Sequence, residues 1–205
     1  MVLWFASGNA HKKQELAAIL SAAGCGHPLK TPLEAGIAFD PDETGDSFLE
    51  NALLKARALS RFLADAGQTG PVIADDSGLC VDALGGRPGI YSARYGAEAG
   101  SKLGDAARNA LLLAELGNAR QRSARFVCAM VLLYTENRFF AAQETLEGEI
   151  IPPEAGAGQG AGGFGFDPIL YLPGRGLTVA ELSAEEKNRL SHRGKAARAL
   201  VRFLS

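Results

Sequence analysis

The chain has 205 residues, 47% hydrophobic and 21% charged, with a formal net charge of −2. That length holds one domain with a sizeable core, or two lobes sharing one sheet, and the composition excludes a disordered or fibrous class. A net charge this close to zero argues against broad nucleic-acid binding, which needs a basic excess or a basic face, but leaves room for a local basic pocket.

The apolar start MVLWFA has no basic segment before it and is too short for a signal peptide or a membrane span. It reads as a first strand over residues 2–6. Cys25, Cys80 and Cys128 are an odd number at wide spacing, without a CxxC or Cys/His pattern. This argues against zinc and for a reduced, cytoplasmic compartment. Cys80 and Cys128 lie in apolar runs and read as small core residues.

Ser7, Gly8 and Asn9 form a turn, and Asn9 is placed to cap a helix over residues 10–23 whose Leu16, Ile19, Leu20 and Ala23 share one face. Lys12 and Lys13 lie in its first turn, where the dipole and free N–H groups favour anions. They are either a phosphate seat or two solvated lysines. A short strand is expected near residues 37–39. The acidic loop 40–46 is either solvated or turns Glu43 toward a metal. Ser47 and Glu50 read as a capping box opening a second helix. Phe48, Ala52, Ala56, Leu59 and Phe62/Leu63 form its apolar stripe, with Lys55 off the stripe.

Residues 72–95 hold the centre of interest. Val72-Ile73-Ala74 reads as the end of a buried strand, which delivers Asp75 and Asp76 into a Ser77-Gly78 turn. Paired acids there either hold a hard cation such as Mg²⁺ or cap a helix through Asp76 or Ser77. Gly85-Gly86-Arg87-Pro88-Gly89 is a shaped loop, flanked by Arg87 and Arg94 as possible phosphate contacts. A helix follows over residues 101–116, with Leu103, Ala107, Leu111 and Ala114 in register and Gly117 as its stop. Residues 125–134 and 138–151 form an antiparallel hairpin, which points to a mixed sheet.

Gly158 to Gly163 spells G-x-G-x-x-G, but Phe164-Gly165-Phe166-Asp167-Pro168 follows where a dinucleotide fold needs a helix, so that reading is rejected. The two phenylalanines are either a wall for a planar base or core residues. Ser183 and Glu186 form a second capping box, on a helix that carries Lys187. Ser191-His192-Arg193-Gly194 interrupts the pattern, and Ala197, Leu200, Val201 and Leu204 line the last helix.

Taken in order, these blocks resemble the inosine/xanthosine triphosphate pyrophosphatase family: Ser7-Gly-Asn-Ala-His-Lys12, Glu43-Thr-Gly, Phe48-Leu-Glu-Asn-Ala-Leu-Leu-Lys55, Ala74-Asp-Asp-Ser-Gly-Leu, Leu84-Gly-Gly-Arg-Pro-Gly, Gly163-Phe-Gly-Phe-Asp-Pro168 and Ser191-His-Arg-Gly194. The resemblance covers nearly the whole chain. It implies an α/β (mixed α+β) fold, a single domain with an elongated mixed sheet flanked by helices and two lobes around a central cleft. It also implies a homodimer. The implied reaction is Mg²⁺-dependent hydrolysis of ITP, dITP and XTP to the monophosphate and pyrophosphate.

Carried over by motif, Ser7, Gly8, Asn9, Ala10, His11 and Lys12 hold the triphosphate, with help from Lys55. Asp76 activates water and faces the metal, with Glu43 as a further metal ligand. Ser77, Phe164, Gly165, Phe166, Asp167, Lys187, His192 and Arg193 contact the nucleotide, the histidine and arginine as donors to a 6-oxo group. The chain departs from the pattern at Phe166, where members commonly carry Tyr, and in the glycine-rich run 154–162. A non-catalytic purine nucleotide sensor with the same pocket is the alternative.

Overall fold

The computed structural model of the chain describes residues 1–97, 103–156 and 158–204. Seven strands form one sheet in the order β2-β1-β3-β4-β5-β6-β7. They are β1 (Leu3–Phe5), β2 (Leu29–Lys30), β3 (Val72–Val81), β4 (Ser123–Thr135), β5 (Arg138–Ile150), β6 (Leu170–Leu172) and β7 (Leu177–Thr178). β1 pairs parallel with β2 and β3, whereas β6 pairs antiparallel with β5 and β7. The sheet is therefore mixed, as the hairpin of β4 and β5 predicts. The helices are α1 (Ala10–Ala22), α2 (Phe48–Asp65), α3 (Asp105–Leu116), α4 (Ala184–Leu190) and α5 (His192–Val201). Among the described residues, no helix is long and apolar enough to cross a membrane.

The chain divides into two compact units. One comprises Met1–Asp76, Cys128–Glu144 and His192–Ser205; the other comprises Ser77–Val127 and Thr145–Ser191. In the first unit the period of two along β3 sorts the side chains. Ile73 joins the cluster of Leu16, Ile19 and Leu20 from α1 with Ala196, Ala197 and Leu200 from α5. Val72 and Ala74 join Ala52, Ala56, Leu59 and Leu63 from α2. The second unit has its own core, in which Leu79 and Val81 meet Leu112, Leu116, Phe166, Ile169 and Leu182.

Several expectations need correction. Residues 37–39 form no strand; the chain pairs earlier, at β2, and then makes a short 3-10 turn at Leu33–Ala35. β3 does not stop at the acids but runs on through Ser77 and Gly78, so neither Asp76 nor Ser77 caps a helix. Gly78 makes this passage possible, because a Cβ there would strike the Gly89 carbonyl and the Ser92 side chain. Ala23 is exposed and Phe62 is 49% exposed, so both fall outside the predicted stripes. Ser47 caps α2 through the Glu50 N–H, but Glu50 accepts from Asp46 rather than completing the box. The third helix begins at Asp105; residues 101 and 102 of the predicted span lie outside the described residues. Its buried face is Asn109, Leu112 and Leu116, not the Ala107 and Ala114 register, because the inner face includes a polar residue that an apolar template passes over.

Candidate active site

The first unit gathers a buried charge cluster around β3. Neighbouring residues in a strand point to opposite faces, so Asp75 follows Ile73 toward α1 and α5, and Asp76 follows Ala74 toward α2. Asp75 is 1% exposed. It meets Lys12 Nζ at 3.1 Å and accepts from Arg193 Nε and Nη2, both at 3.2 Å. Arg193 also donates to Glu15 at 2.6 Å through Nη1. Burial alone raises a carboxyl pKa, but the Lys12 and Arg193 charges outweigh it and hold Asp75 far below the usual carboxylate range.

On the other face, Lys55 Nζ lies 2.6 Å from Glu43 Oε1 and 3.1 Å from Asp76 Oδ1. Lys55 is not a surface lysine but 8% exposed. Burial pushes its pKa down, yet the charges of Asp76, Asp75 and Glu43 win and keep it raised. Asp76 moves opposite to Asp75: burial raises it and Glu43 adds to that, against the pull of Lys55 and Lys12. The two adjacent acids thus differ because the charges of Lys12, Arg193 and Lys55 outweigh burial at Asp75, whereas burial and the Glu43 charge outweigh Lys55 and Lys12 at Asp76.

Asn51 completes the cluster and drew no notice as a sequence feature. Fully buried, it donates to Asp76 Oδ2 at 3.3 Å and accepts from the Gly45 N–H at 2.9 Å. It therefore ties the loop carrying Glu43 to the strand carrying Asp76. Gly45 leaves no room for a side chain, since a Cβ there would lie 2.7 Å from Glu50 Cβ. The signals in the sequence are its place in the block Phe48 to Lys55 and its position four residues before Lys55, which puts both on one helix face.

The turn before α1 is built as its sequence predicts. Asn9 Oδ1 accepts from the His11 and Lys12 N–H groups, and Ser7 Oγ accepts from the Asn9 N–H. Gly8, Asn9, Ala10 and His11 are exposed. Lys12 reaches back to Asp75, whereas Lys13 pairs with Glu34. Cys128 is fully buried with its Sγ 3.9 Å from Asp75, and burial followed by that charge pushes its thiol up to about 12. A thiol held protonated is no nucleophile.

The second unit holds a separate node. Lys187 Nζ is 2.6 Å from Asp167 Oδ2 and 4.7 Å from the centre of the Phe164 ring. Asp167 also accepts from the Phe164 N–H at 2.7 Å. Phe166 is a core residue, packed edge-on against Tyr95, while Phe164 is half-buried. The two alternatives for these rings are therefore divided between them. Ser77 is half-buried on β3. Arg87 pairs with Glu115, and Arg94 lies over the Tyr91 ring. His192 and Arg193 open α5 and are both buried. Arg193 is engaged with Asp75 and Glu15.

The model of the Ham1 family matches residues 3–203. The chain belongs to the Ham1 family. It is 47% identical over 204 residues to a dITP/XTP pyrophosphatase of Treponema denticola, covering 100% of this chain and 98% of the relative. It is 49% identical to one from Geobacillus kaustophilus, covering 93% and 88%. Among solved structures, the Staphylococcus aureus Ham1 protein superposes with a TM-score of 0.81 at 39% identity, over 100% of this chain and 98% of that one. A Coxiella burnetii HAM1 protein gives 0.83 at 36% identity, with the same coverage. The mixed sheet described above is thus the fold of Ham1 proteins.

Within this Ham1 chain, no group of three or more His, Cys, Asp or Glu converges among the described residues. Mg²⁺ is ordinarily held by one or two carboxylates plus phosphates rather than by an all-protein cage. Glu43 and Asp76, gathered on one lysine, are a donor set of that kind.

Proposed function

We propose that this chain hydrolyses the non-standard purine nucleoside triphosphates dITP, XTP and ITP, releasing pyrophosphate and the monophosphate. The observation that carries the reading is the meeting of Glu43, Lys55 and Asp76 beside the Lys12–Asp75 pair, in a chain whose relatives are named dITP/XTP pyrophosphatases.

Hydrolysis of a phosphoanhydride needs a positioned water and neutralised charge more than covalent help. Asp76 is the general base, and Asn51 holds one of its oxygens. Glu43 and Asp76 would hold Mg²⁺, which when bound supplies charge neutralisation to the phosphate oxygens. Lys12 and the N-terminal peptides of α1, arranged by Ser7 and Asn9, take the phosphate tail. Lys55 keeps the two acids together and lends positive charge to the same tail. On the base side, Phe164 offers a ring face, with Lys187, Asp167, Ser77 and His192 as polar contacts. Arg193, which also holds Asp75, is a further donor to the nucleotide in this proposal. A cytoplasmic homodimer belongs to the same proposal, with sedimentation of the purified protein as the check on assembly.

The test is a panel of dITP, XTP, ITP, ATP and GTP with Mg²⁺, detecting pyrophosphate and phosphate separately. Pyrophosphate release from the deaminated purines above the others is expected. Tight binding of ITP without turnover overturns the proposal in favour of a sensor.

A further inference from the structure

Helix α3 contributes two polar residues that neither the metal cluster nor the base contacts account for. Asp105 Oδ2 accepts from the Gly165 N–H at 2.5 Å. Asn109 Nδ2 donates to the Gly165 carbonyl at 3.1 Å. The two residues are four apart and share one helix face. Together they hold both backbone polar groups of Gly165. Arg108 pairs with Asp105 and donates to the Ala93 and Leu103 carbonyls, which steadies the carboxylate from the side.

Two features say that this grip is not incidental packing. Asn109 is 3% exposed, and its Oδ1 has no partner among the described residues. An apolar side chain would fill the same place without the cost of burying an unbonded oxygen. What the asparagine supplies is the bond to Gly165. That glycine has φ +64°, a left-handed conformation in which its two peptide planes are easily turned. It stands between Phe164, whose ring lies against Lys187, and Phe166, which is anchored in the core. Rotation at Gly165 would therefore move the Phe164 ring while leaving Phe166 in place.

We infer that Asp105 and Asn109 are positioning residues for purine recognition, setting the plane of Phe164 by holding the Gly165 backbone. The inference rests on the base-side reading of Phe164–Asp167 given above. Asp105→Ala and Asn109→Leu should speed hydrogen exchange at the Gly165 amide by about tenfold or more, since a local opening is made easier. In the same variants KM for dITP should rise about tenfold, with kcat changing less, as expected when ground-state and transition-state binding are lost together. Discrimination between dITP and GTP should narrow. Asp105→Asn keeps an acceptor oxygen and should restore exchange protection and KM.

Unchanged exchange at Gly165 in both variants overturns the inference while leaving the pyrophosphatase reading intact. Faster exchange and a lower melting temperature with KM and discrimination unaltered also overturn it, since the grip is then merely structural. A wild-type protein that turns over no triphosphate overturns the functional reading and this inference with it.

Discussion

Lys55 in one unit and Lys187 in the other are both buried and both sit on an aspartate, yet their surroundings differ. Around Asp75 and Asp76, the described side chains bring four carboxylates (Glu15, Glu43, Asp75 and Asp76) against three cations (Lys12, Lys55 and Arg193). Around Lys187, Asp167 takes both the ammonium and the Phe164 N–H. The first cluster gathers carboxylates from a loop and from neighbouring strand positions onto shared cations; the second joins a lysine to an aspartate that also holds a loop. A buried ion pair by itself therefore says little about chemistry; a convergence of several carboxylates says more.

The most severe break in this contrast is Asp76→Asn. Pyrophosphate release from dITP should fall by roughly 10²–10⁴-fold as the general base is lost. The fold should persist, and the melting temperature should rise slightly, because an acid with a raised pKa is a cost to the ionised native state. Near-normal turnover would remove Asp76 from the chemistry.

Lys187→Met should cost stability in addition to a nucleotide contact. It leaves Asp167 buried without its cation, a loss of about 3–5 kcal/mol in denaturant unfolding. Mg²⁺ should raise the melting temperature of Lys55→Met by more than that of the wild type, since two carboxylates are then left for the ion to neutralise, and that of Lys187→Met only by as much as the wild type's, since its metal cluster is unchanged. Equal rescue of the two variants would erase the distinction drawn between the lysines.

A smaller effect is expected from pH. The folded pKa of Asp75 is depressed, so its contribution to stability is complete above the unfolded value of about 4 and is lost as pH falls below it. Unfolding of the metal-free protein between pH 5 and pH 2 should show that slope, approaching about 1.4 kcal/mol per pH unit for one group. Asp75→Asn, less stable at pH 7, should flatten it. A wild-type slope unchanged by this substitution would mean that other acids control the transition.

The mildest prediction concerns Asn51→Ala. It strands the Gly45 N–H and frees one Asp76 oxygen, at a cost of about 1–3 kcal/mol. Weaker Mn²⁺ binding, read directly by electron paramagnetic resonance, should accompany it. Binding as tight as in the wild type would show that the Glu43 loop is held without this bridge.

The sequence by itself determined much of this protein. The capping residues Asn9, Ser47 and Ser183, the hairpin of β4 and β5 and the apolar face of α2 were all legible, because each depends on contacts within a few residues or on a strict period. The motif blocks also pointed to Asp76, Glu43 and Lys55 as one chemical group. Tertiary structure alone decided the rest. A period of two implies that Asp75 and Asp76 face apart, but not which helix lies on which side, so their opposite pKa shifts were hidden. Lys55 stands off the apolar stripe of α2 yet is buried, because acids distant in the chain, Glu43 and Asp76, arrive to meet it. Asn109 likewise is buried at a position outside the predicted apolar register, since the carbonyl that explains it lies 56 residues further along the chain.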